Sequence, residues 1–176
     1  DCGLARSYHE QALLLKRQID YRRGEAITLV NLGLVSYCEK DAARAGAYYE
    51  QALQICRQAG SRQGEGDILG LLGDAHLQQG DYAAARACHE QALSLYRQIG
   101  DRHGESCALS RLGAICAEEG DYAQAVAHLE HALRNYRQAG DRRGETQTLD
   151  ELSKVLAESK RQDGGRAPKA GPRRNH

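Results

Sequence analysis

The sequence predicts an all-α protein made of antiparallel helix pairs, and three features predict this fold. First, short motifs recur every 40 residues along the chain. Second, each period contains two stop-and-start signals, usually a glycine that ends one helix and an aspartate that opens the next. Third, the apolar residues between these signals follow helical spacing, and no segment alternates as a strand would.

Four motifs keep the same 40-residue period. They are Gly24-Glu25, Gly64-Glu65, Gly104-Glu105 and Gly144-Glu145; Ala12-Leu13, Ala52-Leu53, Ala92-Leu93 and Ala132-Leu133; Arg17-Gln18, Arg57-Gln58, Arg97-Gln98 and Arg137-Gln138; and Leu32-Gly33, Leu72-Gly73 and Leu112-Gly113, with Leu152-Ser153 as a weaker fourth copy. Self-similarity of this kind is typical of repeat architectures.

The third period illustrates how each element is predicted. Gly100 suits the left-handed position after a helix, Asp101 suits the N-cap, and Glu105 complements the dipole of the first turn. Applied throughout, these signals predict about eight helices. The first helices of the periods, named A, cover 22–39, 62–79, 102–119 and 142–159, and the second helices, named B, cover 2–19, 42–59, 82–99 and 122–139. The short links between them require antiparallel hairpins.

Glycines inside the A helices indicate close helix packing. Gly33, Gly73 and Gly113 each cost about 1 kcal/mol relative to alanine in a helix interior. Such residues are expected where a neighbouring helix packs directly against the backbone, and the small Ala85 and Ala92 of a B helix fit the same close contact.

Composition excludes several classes of protein. Lys and Arg total 24 and Asp and Glu total 24, so a dedicated nucleic-acid or membrane-surface binder, which would carry excess basic charge, is not expected. No apolar run approaches the roughly 20 residues of a membrane span. The six cysteines form no CxxC pair, which argues against a zinc module and favours reduced thiols in a cytoplasmic protein.

Two domains of different character are predicted. Residues 1–159 form the solenoid, whereas residues 160–176 carry six basic residues and one acidic residue and are expected to be a disordered tail. The tail is interpreted as a solvated end, or alternatively as a basic arm that contacts an acidic partner. Because Asp1 aligns with Asp41, the chain opens on a B helix without its A partner. We expect an excised segment of a longer array, or else a native start with a half repeat.

The repeated residues resemble a known family. Leu72-Gly73, Gly80-Asp81-Tyr82, Ala85 and Ala92-Leu93 resemble the tetratricopeptide (TPR) pattern, and this resemblance covers about residues 1–159. It implies a right-handed superhelical solenoid. The chain departs from the pattern where Arg57, Arg97 and Arg137 replace the usual proline, so that helix B is longer and the ordinary 34-residue repeat becomes 40. HEAT and armadillo repeats have a similar length but lack this order of motifs.

A narrower resemblance concerns the links between the repeats. The link Gly100-Asp101-Arg102-His103-Gly104-Glu105 looks like those of Pins-type G-protein signalling modulators. Related long repeats occur in kinesin light chains and in the sensor ends of bacterial signalling ATPases. This resemblance is specific for the fold and weak for the partner.

No catalytic or metal-binding constellation is found in the sequence. Adjacent Cys88 and His89 point in different directions on a helix and cannot form a nucleophile pair on their own. His128 and His131 could share a face as metal ligands do, but they lack an obvious third ligand. The recurring carboxylates serve the repeat unit rather than one active site, and no phosphate-binding loop occurs. The sequence therefore predicts neither an enzyme nor a bound cofactor or metal.

The TPR resemblance implies a binding groove lined by the A helices. Its inward positions are Ile27, Val30, Asn31, Leu34 and Tyr37; Asp67, Gly70, Asp74, Leu77 and Gln78; Cys107, Ser110, Arg111, Ala114 and Glu118; and Gln147, Asp150, Glu151, Lys154 and Glu158. The candidate binding residues are this set without Ile27, Gly70, Leu77, Cys107, Ala114, Glu151 and Glu158. These positions vary between repeats, whereas the packing positions do not, as expected of a binding face or of unconstrained surface.

The groove predicts the kind of partner. Its first unit is apolar and its later units are polar with excess acid, so we expect a protein or peptide with apolar and basic residues. The Lys/Asn/Arg clamp by which some TPR domains hold an acidic C-terminus is not matched. The predicted function is a non-catalytic interaction scaffold, and the alternative is the sensor portion of a larger signalling ATPase or transcriptional regulator. Weak self-association through an exposed solenoid end is also expected.

Overall fold

The computed structural model describes residues 2–165, with side chains for residues 2–162. These residues form eight α-helices and no strand. The helices are α1 (Cys2–Gln18), α2 (Arg22–Cys38), α3 (Ala42–Gln58), α4 (Arg62–Gln79), α5 (Tyr82–Ile99), α6 (Arg102–Glu118), α7 (Tyr122–Ala139) and α8 (Arg142–Gly165). The predicted all-α solenoid of antiparallel helix pairs is confirmed.

The predicted helix ends agree with the structure to within one residue, with one exception. Helix α8 continues to Gly165, beyond the predicted boundary at residue 159. The first residues of the expected tail, 160–165, are therefore helical. The rest of that tail, 166–176, lies outside the described residues.

Packing follows the order of the chain. Each helix packs against the next, and α4 also touches α6, and α6 touches α8. The even-numbered helices are the predicted A helices, so A helices from neighbouring repeats lie beside one another on one side of the solenoid. None of the helices in the described part of the chain is long and apolar enough to span a membrane.

Capping residues define the helix boundaries as predicted. The side chain of Asp101 accepts a hydrogen bond of 3.0 Å from the backbone N–H of Gly104, and Asp41, Asp81, Asp121 and Asp141 cap their helices in the same way. Gly100 takes a left-handed φ of 73° just after α5. The first two links lack this glycine, and Asp20 and Lys40 take positive φ there instead.

One glycine inside each of the first three A helices packs against a B helix. A Cβ at Gly33 would lie 2.2 Å from the Tyr49 ring, and one at Gly73 would lie 2.5 Å from the His89 ring. The equivalent Gly113 meets Leu129 in the same manner. A side chain at any of these positions would force the helices apart, so glycine is needed for the close approach.

A repeated ion pair explains two of the sequence motifs together. Arg97 Nε lies 2.9 Å from Glu105 Oε1, and Arg17–Glu25, Arg57–Glu65 and Arg137–Glu145 repeat the contact at 2.7–2.8 Å. Each pair joins the end of a B helix to the start of the next A helix. The arginines are about half exposed, so each pair contributes at most about 1 kcal/mol, and its main effect is to orient the link.

Candidate functional site

The predicted binding residues lie on all four A helices, and the structure brings six of them to one cavity. Val30, Asn31, Leu34 and Tyr37 are on α2; Asp67, Asp74 and Gln78 on α4; Ser110, Arg111 and Glu118 on α6; and Gln147, Asp150 and Lys154 on α8. Those around the cavity are Asp74, Ser110, Arg111, Gln147, Asp150 and Lys154. The remaining seven lie outside it.

The cavity has a volume of about 580 Å³ and lies between α4, α6 and α8. Helices α5 and α7 supply its floor. Its lining residues also include several that the candidate set lacks, namely Gly70, His89, Ala92, Tyr96, Cys107, Ala108, Tyr136, Gly144, Thr148 and Glu151. A volume of this size is within the range of ligand pockets. We call this space the A-helix cavity.

Asp74 and Arg111 form an ion pair across the A-helix cavity. Arg111 Nε lies 3.0 Å from Asp74 Oδ1, and Arg111 Nη2 donates to Asp74 Oδ2 at 3.2 Å. Burial raises the pKa of Asp74, and the contacts with Arg111 act in the opposite direction. The charges of both residues are therefore largely compensated by one another, and neither is as free for a partner as the sequence indicated.

Glu151 is the half-buried carboxylate of the lining that has no close partner. Its side chain is half-buried on α8 and forms no hydrogen bond or ion pair within the described part of the chain. Burial raises the pKa of Glu151, and the nearby charges of Arg111 and Lys154 only partly oppose this effect. A carboxylate in such surroundings gains from any donor that enters the cavity.

Two tyrosines from B helices form part of the floor. The Tyr96 hydroxyl donates to Asp67 Oδ1 at 2.9 Å, and the Tyr136 hydroxyl lies 3.3 Å from Cys107 Sγ. Burial raises the pKa of both tyrosines, so both hydroxyls stay protonated at neutral pH. The rings pack against the glycines at the starts of the next A helices, Gly104 and Gly144. Asp67 thus contacts the floor of the cavity without lining it.

His89 is the most deeply buried titratable group in the lining. It is 2% exposed, and its Nε2 has no hydrogen-bond partner in the structure. The nearest carboxylate oxygen, Asp74 Oδ1, is 3.6 Å away. Burial, and secondly the charge of Arg111, lowers the pKa of His89 to about 4, so the imidazole is neutral at pH 7.

The predicted residues of α2, which are apolar or aromatic except for Asn31, form a separate part of the A-helix face. Leu34 is 40% exposed and the neighbouring Ile27 is 52% exposed, whereas Val30 and Tyr37 are half-buried. The Gln78 amide donates to the backbone oxygen of Tyr37 at 3.3 Å and so joins this part to α4. The A-helix face therefore changes from mostly apolar at α2 to polar at α8.

Sequence reasoning missed the contribution of the B helices. Tyr96 and Tyr136 are 40 residues apart and replace Lys16 and Cys56 of the first two units, so a signal was present in the repeat. Thr148 and His89 carried no such signal. In the part of the chain that the structure describes, no group of three or more His, Cys, Asp and Glu side chains could hold a metal ion.

Solved structures share this fold over most of the chain. The apo form of RapI superposes with a TM-score of 0.81 at 18% identity, over 90% of this chain and 44% of RapI. A Rap protein complexed with Competence and Sporulation Factor superposes with a TM-score of 0.72 at 16% identity, over 94% of this chain and 52% of that protein. The chain thus spans about half the length of these two proteins.

A third structure is a Signal Transduction ATPase with Numerous Domains from Pyrococcus horikoshii that has a tetratricopeptide repeat sensor. It superposes with a TM-score of 0.75 at 16% identity, over 96% of this chain and 30% of that protein. No curated protein matches the sequence significantly. The narrower resemblance to Pins-type modulators stays a prediction.

The repeat motifs, the paired helices and the neighbouring A helices point to one family. The family model described as tetratricopeptide repeat matches residues 24–98 and 104–163, which is most of the sequence. The chain therefore belongs to the tetratricopeptide repeat family.

Proposed function

We propose that this protein is a non-catalytic scaffold that binds a segment of a partner protein along the A-helix face. The A-helix cavity carries the proposal, because about 580 Å³ of open space lies where the inward residues of three repeats converge. The inward residues differ between repeats, whereas the packing residues recur every 40 residues. Residues that vary on a constant scaffold are typical of a recognition surface.

The two ends of the A-helix face favour a partner segment with two kinds of side chain. Ile27 and Leu34 on α2 offer exposed apolar surface to an apolar side chain. Asp150 and Glu151 on α8 offer carboxylates, and Arg111 is already paired with Asp74. A segment with an apolar end and a basic end matches this arrangement.

The experiment is a selection of random displayed peptides on the immobilised protein, followed by affinity measurements with variants. The groove variant combines Leu34→Glu with Asp150→Lys. The control variant combines Glu50→Lys with Glu130→Lys, two exposed positions on B helices. Asp74 is left unchanged, because its reversal would break the ion pair with Arg111. We expect the groove variant to weaken binding about tenfold or more, because it removes an apolar contact and reverses a charge.

Two results would contradict this function. Peptides that bind the groove variant as tightly as the wild type, and lose affinity for the control variant, would place the binding surface on the B helices. The other contradictory result is that no peptide depends on the groove residues at all. Circular dichroism must show that both variants keep the helix content of the wild type.

The sensor portion of a larger signalling ATPase or transcriptional regulator is a second candidate. The likeness to the tetratricopeptide repeat sensor of the Pyrococcus horikoshii protein favours it, since this chain corresponds to 30% of that protein. Both candidates use the same groove. The full coding sequence that contains this chain distinguishes the two candidates, because the second requires a nucleotide-binding or DNA-binding domain in the same polypeptide.

A further inference from the structure

Gly70 has no packing reason to be glycine. It lies in the middle of α4 and lines the A-helix cavity, and a Cβ added there would meet no atom within 4 Å. The glycines Gly33, Gly73 and Gly113 differ, because a Cβ at each would lie less than 3 Å from a B-helix side chain. Glycine is less favourable than alanine in the interior of a helix, so the absence of a side chain at Gly70 needs another explanation.

The other repeats carry side chains at the position of Gly70. The equivalent residues are Val30, which lies 40 residues before Gly70, and Ser110 and Asp150, which lie 40 and 80 residues after it. Glycine in the second unit leaves space beside the polar side chains of Ser110 and Asp150, which also line the cavity. A backbone without side chain is what close approach of a ligand requires.

The charges around this space select a cation. Arg111 is held by Asp74 at 3.0 Å, which leaves Asp150, Glu151 and Lys154 as the charged side chains without such a pair in the lining. Their sum is one negative charge at pH 7. Glu151 is half-buried and unpaired. Its carboxylate would repel an acidic ligand and would bind a cationic group that donates hydrogen bonds.

His89 supplies an independent observation at the floor of the same cavity. Its ring is 2% exposed, and its Nε2 is buried without a hydrogen-bond partner. Because the imidazole is neutral at pH 7, it adds an unpaired polar atom without adding a positive charge that would repel a cation. The floor of the cavity therefore does not oppose a cationic ligand, as a protonated histidine would.

We infer that the A-helix cavity is a subsite for an arginine side chain, whose aliphatic stem lies over Gly70 and whose guanidinium pairs with Glu151. Arginine is favoured over lysine because its planar group has five N–H donors and matches a carboxylate with two parallel hydrogen bonds. The remaining donors serve Asp150 and Ser110, which line the same space. The subsite deepens the proposed function and rests on it, since the arginine belongs to the partner segment.

The subsite is tested first with a small probe. The protein is labelled with 15N-glycine and titrated with millimolar acetyl-arginine-methylamide, and the citrulline analogue serves as a neutral probe of the same shape. Substitution of Gly70 by Ala assigns the Gly70 amide signal. We expect the Gly70 and Gly144 signals to move with the arginine probe and not with the citrulline probe. Glu151→Gln should weaken the arginine probe about tenfold, because it removes the charge-assisted hydrogen bonds.

A matched pair of glycine substitutions tests the role of the open space. Gly70→Leu fills the cavity, whereas Gly46→Leu adds the same side chain to α3, where a Cβ would also meet no atom within 4 Å. Both variants should melt at or above the wild-type temperature, because leucine favours a helix. Only Gly70→Leu should abolish the shift of the Gly144 signal by the arginine probe. A shift that persists in Gly70→Leu and in Glu151→Gln would overturn the subsite.

The selected peptides separate this inference from the proposed function. Enrichment of arginine, with a loss of about tenfold in affinity on Glu151→Gln, supports both. Groove-dependent peptides without arginine, unaffected by Glu151→Gln, would overturn the subsite and leave the scaffold function standing. A probe that behaves as expected, with no groove-dependent peptide recovered, would support the subsite and contradict the scaffold function.

Discussion

At one equivalent position of three B helices, three different side chains each pack against the equivalent glycine of the A helix in their own repeat. Tyr49 packs on Gly33, His89 on Gly73 and Leu129 on Gly113. All three are at most 2% exposed, so the site accepts an aromatic, a polar ring or an aliphatic side chain provided that the opposing residue is glycine. His89 is the polar member of the set. Its burial without a hydrogen bond to Nε2 costs stability that Leu129 avoids.

The burial of a titratable histidine at this position predicts that the stability of the fold depends on pH. The pKa of His89 is lowered from 6.5 to about 4, so between these values the unfolded chain takes up a proton that the folded chain does not. The contribution of His89 to the free energy of unfolding should therefore fall as the pH falls, by about 2 kcal/mol from pH 7 to pH 5. Urea unfolding at the two pH values measures it, and His89→Leu should remove this part of the dependence.

Two carboxyl groups in the lining of the same cavity act in the opposite direction. The pKa values of Asp74 and Glu151 are raised by burial, so both groups favour the folded state more as the pH falls. Both groups are retained in His89→Leu, and the comparison between the two proteins isolates the histidine. Equal pH dependence of the wild type and His89→Leu would refute its assignment to His89.

At the scale of the single helix, α8 differs from the other A helices in its second half. Leu152 and Val155 complete the apolar contact with Cys116 and Leu129 of α6 and α7. Beyond Leu156, the residues up to 162 include no aliphatic or aromatic side chain larger than alanine, although the helix continues to Gly165. Lysine, arginine and glutamine are good helix formers, so local propensity can extend the helix where apolar periodicity has ended.

The extension of α8 should therefore contribute little to the stability of the solenoid. Removal of residues 161–176 takes away one described tertiary contact, the hydrogen bond of 3.4 Å from Gln162 to the Tyr122 hydroxyl. We expect the melting temperature to change by only a few degrees. Thermal unfolding followed by circular dichroism measures it.

A longer truncation serves as the control for this prediction. Removal of residues 152–176 also takes away Leu152 and Val155, which should expose Leu129 and lower the melting temperature strongly. Unfolding or aggregation after the short truncation would instead mean that residues 161–176 dock on the rest of the chain.

At the scale of the whole solenoid, α1 exposes a strip of large apolar side chains at one end of the described array. Leu4, Tyr8, Leu15 and Ile19 are 59–72% exposed. Inside the array, the equivalent of Leu15 is Ile55, which is 9% exposed because neighbouring helices cover it. An uncovered strip of this kind favours self-association.

This contact should be separable from partner binding. Leu4→Glu combined with Leu15→Glu is expected to reduce any dimer in sedimentation velocity experiments, because it places two charges on the apolar strip. The same variant should bind groove-dependent peptides as the wild type does, since the proposed binding face lies on the A helices. Loss of peptide binding in this variant, with binding intact in the groove variant, would locate the partner at the end of the solenoid.

Much of the fold was predictable because its determinants are local. Asp101 caps α6 through a backbone group three residues away, and Gly100 ends α5 through its own left-handed conformation. Signals of this range can be read from neighbouring residues, and the 40-residue repeat confirmed each of them several times over. The apolar α2 and the polar α8 of the A-helix face followed from the same repeat.

The candidate site depended on contacts that no local signal contains. Arg111 reaches Asp74 across 37 residues, and Tyr96 reaches Asp67 across 29 residues, because these side chains converge from helices of different repeats. The pairing neutralises two residues that the sequence offered as free charges, and it leaves Asp150 and Glu151 as the unpaired carboxylates of the lining. Sequence alone thus determined which residues lie on the A-helix face. Only tertiary packing decided which of them share a cavity and which keep a free charge, because both depend on distances between repeats.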